Sequence, residues 1–238
     1  MSQRLNQKLA ECLARGDFYE AHQIYRTIYF RLSRERKFAQ AYRLLVEGAT
    51  KLLSAGQSNS GSDLANLLVD MLSNADLGLE LKSPADLQAS EESVVNDLRQ
   101  LFAAMVADSP ERAHFVSKAL SITFIPPATL RKHLALVLWR EKNYAESRLH
   151  FIYSSDSGEN CALMLVEYQR QQGFPSEVDL MIAQFVLQVL AAEKKQLAQV
   201  VFKVYTSRHP AIKNVEPPFL KPLLNFIFFL LSAIDNHR

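Results

Sequence analysis

The sequence predicts an all-α fold, an α-solenoid built from antiparallel helix pairs. Three observations predict it. First, a box recurs. Gly16-Asp17-Phe18-Tyr19-Glu20-Ala21, Arg36-Lys37-Phe38-Ala39-Gln40-Ala41 and Lys142-Asn143-Tyr144-Ala145-Glu146-Ser147 each bring an aromatic residue into a helix, followed by an acid or amide and then a small residue. An aromatic and a small residue three positions apart share one helix face and can lock that helix onto the one before it. Such a recurring unit is the mark of stacked helical repeats. Second, apolar residues return at helical spacing along nearly the whole chain. Third, glycine is scarce, 7 in 238 residues, while 48% of residues are hydrophobic. That composition favours helix, and a continuous core over disorder. Together these read as a TPR-like superhelix of roughly a dozen helices.

The elements follow in order. Leu5, Leu9, Cys12 and Leu13 form one face of a first helix, which Gly16 ends in a left-handed conformation while Asp17 caps the next. Phe18, Ala21, Tyr25, Ile28 and Leu32 make the inner face of a second helix, and Phe38, Ala41, Tyr42, Leu45, Ala49 and Leu52 that of a third. Gly56 to Gly61 (GQSNSG) reads as a loop, with Ser60 or Ser62 capping a fourth helix whose stripe is Leu64, Leu67, Leu68, Met71 and Leu72. Residues 78–90, with Gly78 and Pro84, read as a surface connection. Val94, Leu98, Leu101, Phe102 and Met105 resume the array, and Ser109-Pro110-Glu111 starts a helix running to Ser121. Ile122 to Ile125 precede Pro126-Pro127, which disfavours helix there and leaves that stretch extended. Helices follow over about 130–141, 143–154, 158–172 and 176–193. Leu197, Val200, Val201, Val204 and Tyr205 have helical spacing, although their β-branched content leaves a strand open. Pro217-Pro218 precedes a final helix over about 219–235.

Within that helix, Pro222 to Ile234 (PLLNFIFFLLSAI) is the longest apolar run. It is shorter than the ~20 residues a membrane span needs, starts at a proline and contains Asn225 and Ser232, so it reads as a buried helix covered on more than one side. Cys12 and Cys161 form no framework, which suits a reducing compartment, and the N-terminus turns polar too soon for a secretory signal. The expected location is the cytosol.

Charge is unevenly spread. Residues 1–56 carry 10 Lys/Arg against 5 Asp/Glu, residues 57–111 carry 2 against 10, and residues 112–238 carry 15 against 10. A basic block beside an acidic one can steer and orient a docking partner. The basic cluster Arg31, Arg34, Arg36 and Lys37 is interrupted by Glu35, and no nucleic-acid motif follows it. Catalysis finds no support. His22, His114, His133, His150, His209 and His237 show no metal-ligand spacing, and there is no Gly-rich phosphate loop or GxSxG elbow. Neither a metal, a cofactor nor enzymatic activity is expected.

GDFYEAHQIYRT (16–27), DSPERAHFVSKAL (108–120), LALVLWREKNYAESRLHF (134–151), MLVEYQRQQGFPSEVDLMIAQFVLQVL (164–190) and PPFLKPLLNFIFFLL (217–231) span nearly the whole chain. Through them the sequence resembles the animal branch of the Golgi-to-ER traffic protein four family, the solenoid scaffold of guided entry for tail-anchored membrane proteins. The resemblance implies a non-catalytic cytosolic adaptor. Its N-terminal half, residues 1–125 here, would dock a targeting ATPase. Its C-terminal half, 126–238, would hold a ubiquitin-like-domain protein or a BAG-family chaperone scaffold. Family members run on beyond the FIFFLL helix, whereas this chain stops at Asp235-Asn236-His237-Arg238, which implies a shortened C-terminus and exposed apolar surface. An alternative is a chaperone-like solenoid that holds transmembrane segments itself.

Two surfaces follow. Tyr19, Glu20, His22 and Arg26 from the first box, with Asp63 and Asp70 from the acidic block, are the candidates for the ATPase side. In the C-terminal half, Val178, Ile182, Phe185 and Val189 form one stripe and Phe219, Leu223, Phe226 and Leu230 another. Leu187, Leu190, Leu220 and Phe229 lie off them, more than one inner face requires. Phe185, Val189, Phe219, Leu223, Phe226 and Leu230 are the candidates for partner binding there.

Overall fold

The computed structural model describes residues 2–74, 91–154, 156–213 and 216–236. Twelve α-helices are seen among them: α1 (Ser2–Arg15), α2 (Phe18–Arg34), α3 (Phe38–Ser54), α4 (Ser58–Ser73), α5 (Glu91–Ala104), α6 (Pro110–Ala119), α7 (Pro127–Arg140), α8 (Tyr144–Ile152), α9 (Gly158–Gln172), α10 (Val178–Ala191), α11 (Lys195–Arg208) and α12 (Pro222–Asn236). A 3-10 turn, Pro175–Glu177, leads into α10. No strand occurs among the described residues. The chain is an all-α solenoid that divides into two compact units, Met1–Leu130 and Arg131–Arg238.

The recurring box is a helix–helix turn, and it occurs five times. Gly16, Arg36, Gly56, Lys142 and Glu193 all have φ between 53° and 79°. The next residue's N–H closes the preceding helix (Asp17 to Cys12, Lys37 to Leu32, Gln57 to Leu52, Asn143 to Leu138, Lys194 to Val189, each 2.9–3.0 Å) and its carbonyl opens the following one. This is the left-handed C-terminal stop of a helix run directly into a new N-terminus. Five positions after each left-handed residue stands a small buried one: Ala21, Ala41, Gly61, Ser147 and Ala198. These let each helix approach its predecessor closely.

The third turn corrects the sequence reading of GQSNSG as a loop. α4 already begins at Ser58, Gln57 precedes it without a side-chain cap bond, and Ser62 is buried inside the helix rather than capping it. Gly61 is a packing residue, since a Cβ there would stand 2.6 Å from Leu53 Cγ and 2.9 Å from the Leu53 nitrogen. The connection read over 78–90 lies outside the described residues.

In the first unit α3 packs against α2, α4 and α5, and α4 against α6, while α2 and α4 lie side by side. Leu45, Leu52, Leu64, Leu68, Leu98 and Phe115 are fully buried there. Tyr42 ties α3 to α5 by donating to Asp97 Oδ2 at 2.6 Å. The inner face of α2 is turned from the expected one: Ala21, His22, Ile24, Tyr25 and Tyr29 are buried, whereas Phe18, Ile28 and Leu32 are only partly covered. A polar pairing to α4, described below, draws His22 inward. Ser109 caps α6 by accepting from the Arg112 N–H, as the Ser-Pro-Glu start predicts. Thr123 and Phe124 form a turn and Ile125 a bend, so this stretch is not extended.

In the second unit α9 packs against α8 and α11, and α10 against α11 and α12. The Leu197–Tyr205 stretch is helical, because α11 buries Ala198, Val201, Phe202 and Tyr205 on one face against other helices. His209 joins α9 to the end of α11, donating through Nε2 to Gln169 Oε1 (2.8 Å) while its Nδ1 accepts from the Ala211 N–H (3.2 Å). Burial, with Arg170 and Lys221 nearby, holds its pKa below the usual histidine value. α12 starts at Pro222 rather than 219, and polar contacts pin it at both ends. Asn225 exchanges two hydrogen bonds with the Phe219 backbone (2.7 and 2.8 Å). Lys221 reaches Asp179 (3.0 Å) and the Ser176 carbonyl, and Lys195 reaches the Ile234 carbonyl and Asp235. Asn225 is thus a structural cap inside the apolar run.

Candidate functional site

Two surfaces, one in each unit, present chemistry beyond packing. The first lies where α2 and α4 run side by side. Asp63 of α4 accepts from His22 Nε2 at 2.8 Å and from Arg26 Nη1 at 2.8 and 2.7 Å. Gln23 Nε2 donates to His22 Nδ1 at 3.3 Å, which fixes the ring. His22 is buried, while Arg26 and Asp63 each keep about a third of their side-chain surface in solvent. One carboxylate therefore joins two helices and leaves a guanidinium edge outside. Arg26 also lies over the Phe30 ring, 5.8 Å from its centroid. Tyr19 is 77% exposed one turn before Gln23, at the rim of an open cleft of 570 Å³ walled by His22, Asp63 and the start of α4 at Gln57–Ser60.

The structure brings together four of the six residues expected on this side: Tyr19, His22, Arg26 and Asp63. The other two point elsewhere. Glu20 turns to α1, pairing with Lys8 at 2.6 Å. Hydrogen bonds from Lys8 and then Cys12 hold its carboxyl below the usual range. It fastens the first helix pair. Asp70 lies two turns along α4 beside α6, 3.5 Å from His114 and 3.6 Å from Lys118. The sequence reading missed Gln23 and Phe30, although Tyr19, Gln23, Arg26 and Phe30 follow an i, i+4, i+7, i+11 spacing that marks one outward stripe.

The second surface is the outer side of α12. The helix buries Leu224, Ile227 and Leu231. Phe226 is 54% exposed, Phe229 66% and Leu220 73%, with Leu223 and Leu230 partly covered between the two faces. The assignment of Phe185, Val189 and Phe219 to a surface is corrected by their burial: all three pack in the core of the unit. Phe219 precedes α12, where its backbone is held by Asn225, and its ring packs inward. Among the described residues there is no cluster of His, Cys, Asp and Glu arranged for a metal ion, and no helix is long and apolar enough to cross a membrane. Cys161 is fully buried, and burial drives its thiol pKa far up, so it offers no nucleophile.

The family model described as Golgi to ER traffic protein 4 matches residues 35–238. The Golgi to ER traffic protein 4 homologue of Oryzias latipes is 45% identical over 241 residues, covering 99% of this chain and 71% of that protein. The homologues of Bos taurus and Homo sapiens are 45% and 44% identical, each over 99% of this chain and 70% of the relative. A crystal structure of C. therm. Get4 superimposes with a TM-score of 0.79 at 24% identity, covering 98% of this chain and 77% of that one, a likeness of fold.

Proposed function

The chain belongs to the Golgi to ER traffic protein 4 family, and from that premise we propose that it is a non-catalytic cytosolic adaptor in the delivery of tail-anchored membrane proteins to the ER. In this reading residues 1–125 dock the targeting ATPase, and residues 126–238 hold a ubiquitin-like-domain protein or a BAG-family chaperone scaffold. The observation that carries it is identity near 45% sustained over 99% of the chain. The two surfaces support it in different ways. The α2–α4 face, with Tyr19, His22, Arg26 and Asp63, offers an exposed aromatic ring beside an anchored charge pair, a combination suited to a polar and steered contact. The α12 face, with Leu223, Phe226 and Leu230 joined by Leu220 and Phe229, suits an apolar one.

The test is affinity of the purified chain for the targeting ATPase at low and high salt. Arg26→Glu and Asp63→Lys should each weaken binding roughly tenfold, with the far-ultraviolet spectrum unchanged. Binding that ignores both substitutions and salt would remove the N-terminal assignment. Exposed Leu220, Phe226 and Phe229 also favour a second reading, direct capture of a transmembrane segment. Crosslinks from such a segment to the isolated chain select that reading. Crosslinks that need the ATPase or scaffold present select the adaptor.

A further inference from the structure

Of the three turns that carry an aromatic residue, the one at Lys142 does something the other two do not. Its aromatic residue, Tyr144, is buried and stacked on Tyr168, with ring centroids 4.9 Å apart and 15° between planes. Its hydroxyl stands 2.7 Å from Glu167 Oε1 and 2.6 Å from Gln171 Oε1. Glu167 also accepts from the Trp139 indole N–H at 3.2 Å and pairs with Lys142. The carboxylate is thus fully engaged, and hydrogen bonds from Lys142 and then Tyr144 hold its pKa below the usual range. The result is a tryptophan whose ring is held by a polar network behind it.

Beside that ring lies a cleft of 460 Å³ on α7 and α9, lined by the apolar Leu163 and Val166 and the polar Glu167, Arg170 and Gln171. Arg170 is exposed in the last turn of α9, and its guanidinium makes no ion pair among the described residues. With Glu167 neutralised by Lys142, the cleft shows one unmatched cation beside an apolar lining and an aromatic ring. Such a set complements a carboxylate next to an apolar side chain, the cation supplying orientation and the apolar lining supplying burial.

We propose that the α7–α9 cleft is a docking site for an extended protein segment in which an acidic residue adjoins a Leu or Phe, with Arg170 taking the carboxylate and Trp139, Leu163 and Val166 taking the apolar side chain. This surface shares no residue with the α2–α4 and α12 faces. Its success or failure is therefore read independently of ATPase or scaffold binding.

Trp139 is the only tryptophan in the chain, so intrinsic emission reports this cleft directly. The full chain is titrated with an end-blocked peptide Gly-Glu-Leu-Phe-Glu-Gly and with a control in which Lys replaces both Glu. Saturable change with the acidic peptide, at least fivefold tighter than with the basic one, is the expected result. Arg170→Glu should remove or invert that preference, while Leu163→Gln should weaken the acidic peptide several-fold without changing the preference. Both variants are checked for an unchanged melting curve. No saturable change in emission, equal response to the two peptides, or a preference untouched by Arg170→Glu would each overturn the proposal.

Discussion

The α2–α4 face and the α12 face solve opposite problems. On the first, charged groups are held by one another: Asp63 takes both His22 and Arg26, so little of the face is free to rearrange. On the second, polar groups are spent at the helix ends, where Asn225, Lys221 and Lys195 pin the backbone, and the middle carries bare phenyl rings. The first surface can offer direction and a salt-dependent encounter, because exposed charges act over distance and are screened by ions. The second can offer affinity that salt does not weaken, because its driving force is removal of apolar area from water. A binding surface can thus be made rigid either by pairing its own contact groups or by anchoring the element that carries them.

The largest effect should come from separating the two sides of α12. Leu224→Ala and Ile227→Ala remove fully buried side chains and should cost about 2–5 kcal/mol in thermal or denaturant unfolding. Phe226→Ala and Phe229→Ala should cost under ~0.5 kcal/mol while weakening partner binding. Equal destabilisation by both pairs would mean that the exposed rings are core.

Acid should act on the second unit through His150. Burial, aided by Arg131, lowers its pKa from the ordinary 6.5 to about 4. A histidine depressed in the folded state binds protons more readily when unfolded. The associated stability is therefore complete above pH 6.5 and is lost as pH falls from 6.5 to 4, by about 3 kcal/mol at the lower end. Melting curves across that range should show the loss, and His150→Phe should flatten it. The lowered pKa of His209 adds in the same direction below the ordinary histidine value.

In the first unit, Gly61→Ala forces a Cβ against Leu53 and should cost roughly 1–3 kcal/mol, more than any single change on the α2–α4 face. Asp63→Ala, which frees His22 and Arg26, should cost about 1 kcal/mol, tempered by solvent exposure. If Asp63→Ala proves worse than Gly61→Ala, the charge pair is structural first and a docking feature second. Smaller changes in this unit and the next are expected at the left-handed turn residues. Glu193→Gly should stabilise by ~0.5–1 kcal/mol and Gly16→Ala should destabilise by about as much.

Helix identity was legible in the sequence because apolar periodicity and the aromatic-to-small box report packing on the adjacent helix. Two of the five turns escaped, at Gly56 and Glu193, because neither places an aromatic residue two positions after the left-handed one. What defines the turn is the backbone conformation and the small residue five positions on, and the aromatic is incidental. The site was legible in part. His22 and Arg26, one helical turn apart, were visible as neighbours, but that Asp63 would close on both depended on α2 and α4 packing side by side. Glu20 looked equivalent to them and is not, since a two-residue step around a helix turns it to α1. On α12 the sequence reading starts the helix at Phe219, whereas the helix starts at Pro222 and Phe219 packs in the core ahead of it, so only Leu223, Phe226 and Leu230 of that stripe lie beside the buried Leu224, Ile227 and Leu231 and reach solvent.

The five slack-free turns also bear on how the chain reaches its structure. Each joins two helices through a single left-handed residue, so the partners that must meet are already neighbours in sequence and little loop entropy opposes their closure. Nucleation can begin at any of these hairpins and spread to the next by adding one helix at a time. Such local contacts are associated with fast folding. Hydrogen exchange should show protection arriving hairpin by hairpin, with the amides just after residues 16, 36, 56, 142 and 193 among the early ones.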